Sequence, residues 1–186
     1  MTRGDATPEQ KWEIRLACEA DVPALEKLIP RSVRELQSEY YSLAQMETAI
    51  GSVFGVDRQL IRDETYFVVE SSNEIVGCGG WSKRKKLFGS DALGATEHAL
   101  LDPNTDAARI RAFFIHPEFA RRGIARVILL ACEDAMRAEN FAAAEMVATL
   151  PGEPFYAAFG YADCERYEVP MANNLMLPVV RMTKQL

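Results

Sequence analysis

From Ala107 onward Arg109 and Arg111 alternate with Ile110 and Ala112, and Phe113-Phe114-Ile115 then forms a continuous apolar run that stops at Pro117. Alternation passing into an apolar run predicts a strand that enters the core. Beyond Gly123 the apolar positions are Ile124, Val127, Ile128, Ala131, Cys132 and Ala135, while Arg126, Glu133, Asp134 and Arg137 fall elsewhere. That spacing is helical, so a helix is predicted to begin at or just after Arg121-Arg122-Gly123.

The flanking chain has its own pattern. Trp12, Ile14 and Leu16 alternate with Glu13 and Arg15 as in a first strand. Asp21 then caps a helix that tolerates Pro23 in its first turn and buries Leu25, Leu28 and Ile29; Pro30 is expected to end or kink it, with a second helical piece from about Arg31 to Tyr40. Ser42-Leu43-Ala44-Gln45 fits a capping box, predicting a helix anchored by Met46, Ala49 and Ile50 and weakened or ended by Gly51. Tyr66 to Glu70 reads as a strand and Ser71-Ser72-Asn73-Glu74 as the turn into a second strand starting at Ile75. Gly77, Gly79 and Gly80 inside that strand suggest a bulge or the close approach of another backbone, and Trp81 suits either a cleft or the core. Residues 83–106 show little periodicity, a length associated with lids or binding segments. After the central helix, Ala143 to Thr149 reads as a strand, Glu153 to Phe159 as a short helix closed by Gly160, and Tyr161 as the start of the last strands. Leu175 to Met182 is the final strand, which Pro178 should restrict to an edge or a bulged position.

Composition narrows the class. A chain of 186 residues that is 48% hydrophobic and 26% charged suits one soluble domain, here 12–186 after a poorly ordered leader, 1–11. A formal net charge of −6 argues against a general nucleic-acid binder, and the basic residues cluster locally at Lys83 to Lys86 and Arg121 to Arg126. Met1 to Glu13 contains no apolar core of a signal sequence and no apolar run is long enough to span a bilayer, which points to the cytoplasm and away from a membrane partner. Cys18, Cys78, Cys132 and Cys164 are widely separated, so buried reduced thiols are expected and a metal site is not.

The chemistry centres on the turn at Gly123. The first turn of a helix carries N–H groups without intrahelical acceptors and the positive end of the helix dipole, a combination that binds phosphate. Gly123 permits close approach, Ala125 is small, and Arg121, Arg122 and Arg126 raise the local potential. The chain has neither Gly-x-x-x-x-Gly-Lys-Ser/Thr nor a Gly-x-Gly-x-x-Gly opening a dinucleotide fold. Taken alone, the turn also fits an ordinary basic connection between strand and helix.

Two motifs together resemble the GCN5-related N-acetyltransferase (GNAT) superfamily. Ile115-His116-Pro117 followed by Ala120-Arg121-Arg122-Gly123-Ile124-Ala125 resembles that family's strand end and Gln/Arg-x-x-Gly-x-Gly/Ala turn, with Ala120 departing from the pattern. Phe155-Tyr156-Ala157-Ala158-Phe159-Gly160-Tyr161 resembles its Phe-Tyr-x-x-x-Gly-Phe/Tyr element. The resemblance implies an α/β acyl-CoA N-acyltransferase fold, a mixed and mostly antiparallel sheet flanked by helices. It implies acetyl-CoA as cosubstrate, with its pantetheine on the main chain of Phe113, Phe114 and Ile115. Its pyrophosphate would lie on the turn formed by Arg121, Arg122, Gly123, Ile124, Ala125 and Arg126.

By the same resemblance Tyr156 is the general acid for the departing thiolate, an N–H near Phe114 or Ile115 is the carbonyl donor, and the first helical region, with Tyr40 and Tyr41, walls the acceptor cleft. Direct attack by the amine in a ternary complex needs no acetyl-enzyme. The acceptor is a small-molecule or peptide amine, and a homodimer is compatible with the family. Where many relatives carry a basic glutamate this chain has Arg109 and Arg111, which leaves Glu97, Asp106 or a water chain as candidate bases. A lone His98 carries no such assignment. Two alternatives stand beside the enzyme: a non-catalytic acyl-CoA-binding sensor, and a phosphate-binding enzyme unrelated to CoA.

Overall fold

The computed structural model describes residues 12–85 and 99–186. The leader, Lys86, Glu97 and His98 lie outside the described residues. The strands are β1 (Glu13–Leu16), β2 (Tyr66–Ser71), β3 (Glu74–Ser82), β4 (Ala108–Ile115), β5 (Ala143–Thr149), β6 (Ala162–Pro170) and β7 (Met176–Gln185). They form one seven-stranded sheet in the order β1-β2-β3-β4-β5-β7-β6. Neighbouring strands are antiparallel except β4 and β5. The helices are α1 (Val22–Leu36), α2 (Leu43–Ala49), α3 (Arg58–Arg62), α4 (Ile124–Ala138) and α5 (Glu153–Ala158). Side chains of α1 to α3 share one core with Val68, Cys78, Phe114, Leu177 and Val179. Those of α4 and α5 share a second with Val69, Val76, Ile110, Met146 and Val180, so helices cover both faces. Among the described residues no helix is long and apolar enough to cross a membrane.

The local signals explain most boundaries. Ser42 accepts from the Gln45 N–H while the Gln45 side chain takes the Ser42 N–H at 2.9 Å, the reciprocal capping box that opens α2. Ser72 and Asn73 both have positive φ (51° and 65°), the geometry of a two-residue hairpin loop between β2 and β3. Gly160, at φ 87°, closes α5. Asp21 does stand at the N-terminus of α1, but its carboxylate accepts from Arg15 (2.7 and 2.8 Å) and from the Cys18 N–H (2.8 Å) rather than from an α1 amide. Arg15 also reaches Glu70, which ties β1 to β2 and to the start of α1.

Three expectations are corrected. Pro30 does not end the first helix, which runs unbroken to Leu36. Leu25, Leu28, Ile29 and Val33 are buried on both sides of Pro30, and burying each such side chain is worth about 1.5–3 kcal/mol, enough to outweigh the roughly 3 kcal/mol penalty of an internal proline. The last strand, β7, is internal rather than an edge. Pro178 is accommodated because the pairing of β5 with β7 ends at Thr149↔Val179, so its missing N–H lies beyond the end of β5. On that side the Pro178 carbonyl accepts from Tyr41 O–H at 2.7 Å and the Met176 carbonyl from Gln45 at 2.7 Å. Of the cysteines, Cys78 and Cys132 are buried free thiols as expected, whereas Cys18 and Cys164 are exposed.

The centre of the sheet is irregular in two ways. β4 and β5 pair only at Ala108↔Ala144 and Arg109↔Glu145. On its other side β4 carries an extra residue, since Gly80 faces Arg111 and Cys78 faces Phe114, with Ala112 at φ 56° in the bulge. The glycines of β3 allow this: a Cβ on Gly79 would lie 2.5 Å from the Phe113 ring, and one on Gly77 2.5 Å from Ile124. Trp81 is a core residue set edge-on to Phe141, not a cleft residue.

Gly80→Ala is expected to cost about 1–3 kcal/mol, the usual range for overpacking, because its Cβ would meet the Thr65 carbonyl oxygen at 2.5 Å and backbone cannot swing aside. Urea unfolding of the variant and wild type measures the difference; matching midpoints would show that β2 and β3 separate without penalty.

Candidate active site

Where β4 and β5 part, a cavity of about 760 Å³ opens, lined by Ile110 to Ile115 of β4 and Met146 to Thr149 of β5. Its lining draws on both cores. Ile124 and Tyr156 come from the α4/α5 side, while Phe54, Val169, Leu177 and Val179 come from the α1 to α3 side, so the space passes through the split sheet. Phe113, Phe114, Ile115, Arg121, Gly123, Ile124, Ala125 and Arg126 all border it. Arg122 does not: its guanidinium lies over the Phe119 ring at 5.1 Å.

The turn at one end is built for an anion. Arg121 (φ 63°) and Gly123 (φ 88°) are both left-handed, a geometry found where successive backbone N–H groups form anion-binding hollows. The first helical bond of α4 runs from Val127 N–H to the Gly123 carbonyl at 3.1 Å, so the N–H groups of Ile124, Ala125 and Arg126 precede the ladder. A Cβ on Gly123 would meet nothing within 4 Å, which leaves open space over the amides. Arg31 ties this region to α1 by donating to His116 Nε2 (2.6 Å) and Glu118 (2.8 Å).

Beside the split, Tyr156 sits edge-on to Phe113 (6.1 Å between centroids), Phe155 (5.0 Å) and Tyr161 (5.9 Å). Burial, reinforced by the neighbouring Cys132, pushes its phenol above the usual range, so the proton stays on oxygen at neutral pH. Tyr161 is fixed in turn by Glu133, a buried carboxylate of α4 that accepts from Tyr161 O–H (3.0 Å), Lys184 (2.8 and 2.9 Å) and Arg137 (3.3 Å).

The opposite end holds three groups that the sequence pattern did not single out, Ser32, Gln37 and Asp57, beside Arg111 and Tyr40, which it did. Asp57, 2% exposed, caps α3 through the Leu60 N–H and lies 2.6 Å from the Arg111 guanidinium. Ser32 of α1 accepts the Ile115 N–H at 3.1 Å, so this N–H has a side-chain acceptor rather than a neighbouring strand. Gln37 is buried, borders the cavity and has an Oε1 without a hydrogen-bond partner. The N-cap signal of Asp57 before Leu60 and Ile61 was present in the sequence, but its meeting with Arg111 is tertiary. Tyr40 lines the cavity; Tyr41 does not, since its hydroxyl accepts from Leu150 N–H (2.9 Å) while donating to Pro178, and burial raises it to about 12. Asp106 is absent from the lining and accepts the Asp102 N–H at 2.8 Å. Arg109 and Arg181 share Glu145 in a separate buried cluster.

A split mixed sheet with an amide-lined turn at the head of the following helix is the fold of the N-acetyltransferases. A GCN5-related N-acetyltransferase structure from Rhodopseudomonas palustris superposes with a TM-score of 0.69 at 19% identity, covering 94% of this chain and 95% of that one. PaiA N-acetyltransferase from Thermoplasma acidophilum, in complex with coenzyme A, gives 0.63 at 14% identity over 95% and 99%. Ribosomal-protein-alanine N-acetyltransferase from Brucella melitensis gives 0.61 at 16% over 94% and 99%. No match is found among curated proteins. The profile of the Acetyltransferase (GNAT) family matches residues 30–161, and the chain belongs to that family.

The bulge that shapes the cavity wall is held by buried donors. Tyr66 O–H donates to the Ala112 carbonyl at 3.2 Å, and the Cys78 sulfur lies 4.0 Å from the same oxygen. Tyr66→Phe removes the stronger donor and leaves a buried carbonyl short of a partner, an expected loss of about 1–3 kcal/mol in urea unfolding. An unchanged midpoint would mean that the bulge holds itself.

Proposed function

We propose that the protein transfers an acetyl group from acetyl-CoA to a primary amine by direct attack within a ternary complex. The reading is carried by one observation: the unladdered amides of Ile124, Ala125 and Arg126 and the freed edge of β4 border the same cavity. The turn amides, with Arg121 and Arg126 beside them, suit a pyrophosphate, and the edge of β4 from Phe113 to Ile115 suits an extended amide-bearing arm as a neighbouring strand would. Acetyl-CoA supplies the activated acyl thioester. The chain's own groups do the rest. Ile115 N–H, which can exchange Ser32 Oγ for a ligand oxygen, stands as donor to the developing oxyanion. Tyr156 keeps its proton at rest and gives it to the departing sulfur, while direct attack by the amine on the thioester requires no covalent intermediate.

Acetyl-CoA at millimolar concentration is therefore expected to raise Tm, as any ligand specific to the folded state must. Gly123→Glu is expected to abolish the shift, since it places a bulky anion over the amides and a Cβ at φ 88°. Binding of other nucleotides but not CoA would overturn the reading, and CoA binding without thiol release across a broad amine panel would favour a sensor.

Tyr156→Phe keeps the ring and its packing and deletes only the O–H. It is expected to lower turnover at saturating acetyl-CoA by up to ~10²–10⁴-fold, the usual contribution of a general acid, while the CoA dissociation constant changes little. Turnover that falls only in proportion to lost affinity would make Tyr156 a packing residue.

A further inference from the structure

We propose that Gln37 and Asp57 receive the acceptor's amino group, and that the acceptor is a small primary monoamine with an apolar body. The inference rests on the acetyltransfer reading and assigns the far side of the split sheet. Gln37 stands at the C-terminus of α1, only 8% exposed, and its Oε1 is buried without a hydrogen-bond partner while the residue borders the cavity. A buried acceptor lacking a donor is uncommon in a folded protein, and at a cavity wall a ligand N–H is the group that completes it. Asp57 is the single carboxylate among the described residues lining the cavity, and Arg111 at 2.6 Å neutralises it in the free protein.

The reaction needs these two groups in different ways. The attacking amine is neutral, with its lone pair toward the carbonyl carbon, so an N–H is left to donate to Gln37 Oε1. As the C–N bond forms and the C–S bond breaks, the electron pair of the C–S bond leaves on sulfur, which takes a proton. The nitrogen becomes positive and releases one to water. Asp57, although shared with Arg111, keeps a carboxylate on that side that can accept from the N–H of the cationic nitrogen.

The rest of this end selects against other amines. Besides Ser32, Gln37, Tyr40, Asp57 and Arg111, its walls are apolar: Leu36, Val53, Phe54, Val169, Leu177 and Val179. A polyamine would find, among the described lining residues, one carboxylate, itself shared with Arg111, for several charges, and an acidic amine would bring a second carboxylate to an Arg111 already shared with Asp57. The matching ligand carries one amino group and a branched-alkyl or aryl body.

The test uses phenylethylamine, isoamylamine, spermidine, glutamate and a short peptide with an N-terminal alanine as acceptors, with thiol release as readout. The two monoamines are expected to give kcat/KM at least about tenfold above the others. Gln37→Met, which keeps the volume and removes the acceptor, should raise KM for the monoamine by about tenfold, the equivalent of one hydrogen bond of ~1.4 kcal/mol. Its KM for acetyl-CoA and its CoA-induced Tm shift should match wild type, which also shows that the variant is folded. Gln37→Glu, which keeps an acceptor of the same shape, should hold the monoamine KM within about threefold, a rescue that a packing role would not produce. Preference for spermidine, glutamate or the peptide, or an unchanged amine KM in Gln37→Met, overturns the proposal and leaves acetyltransfer standing. Absence of CoA binding, or of thiol release with every amine, overturns both.

Discussion

Everything in the site depends on the parallel pairing of β4 and β5 stopping after Arg109↔Glu145. Had the ladder continued, the main-chain groups of residues 110–115 would bond to 146–149 and no cavity would form. Instead each strand keeps its other neighbour: β4 stays on β3, and β5 stays on β7 through Thr149↔Val179. The sheet is thus two pieces joined at one corner. Arg109, Arg181 and Glu145 sit at that corner, with Glu145 almost wholly buried between the two arginines. Below the corner the sheet is continuous, and above it both freed strand edges border the cavity, together with the N-terminus of α4 and residues of the α1 to α3 core.

The opening is stabilised by strain held in place from behind. A non-glycine residue at positive φ costs on the order of 1–3 kcal/mol and persists where its surroundings leave no alternative. Ala112 is in that state, and the surroundings are Tyr66 and Cys78 on its carbonyl and the Phe113 ring lying across Gly79. Burial raises the Cys78 thiol to about 12, so this donor remains an S–H throughout the physiological range. The glycines of β3 are required because neighbouring side chains and backbone occupy the space of their Cβ atoms.

Most of the strand end and turn around Gly123 was legible in the sequence because its signals are local. A strand stopped by proline, a glycine between arginines and a helical stripe lie within one continuous stretch, and the geometry of their turn follows from a few dihedral angles. The glycines of β3 announced these irregularities: β3 carries an extra residue, Val76, beside Gly77 where it faces Val69 and Glu70 of β2, and opposite Gly79 the extra residue belongs to β4, which the sequence of β3 alone could not show. Pro30 and Pro178 misled for the opposite reason. Local chemistry forbids them in an isolated helix or an internal strand, and tertiary burial in one case and an early-ending neighbour in the other override it. The acceptor end was not legible. Ser32, Gln37 and Asp57 come from two separate segments and nothing in their spacing marks them, while Arg111, named in the strand pattern, meets Asp57 only through the tertiary fold.

The charges around Tyr156 divide the labour between the two faces. Lys184 stands over the Tyr161 ring and Arg137 is held by the same Glu133, and an unpaired Lys184 would favour phenolates in this aromatic cluster. Glu133 binds both cations and also takes the Tyr161 proton as a hydrogen bond, which raises Tyr161 and leaves Tyr156 with desolvation as its dominant influence. The same desolvation acts on a thiolate released beside it, so burial disfavours both anions and does not simply widen the gap between a phenol near 10 and a thiol near 8.5. A phenol kept protonated in this way is a donor and has no capacity to serve as a base at neutral pH. On the proposed mechanism the proton lost by the amine therefore passes to water, while Gln37 Oε1 accepts a hydrogen bond from the amine and Asp57 is the carboxylate that the described cavity lining offers beside it.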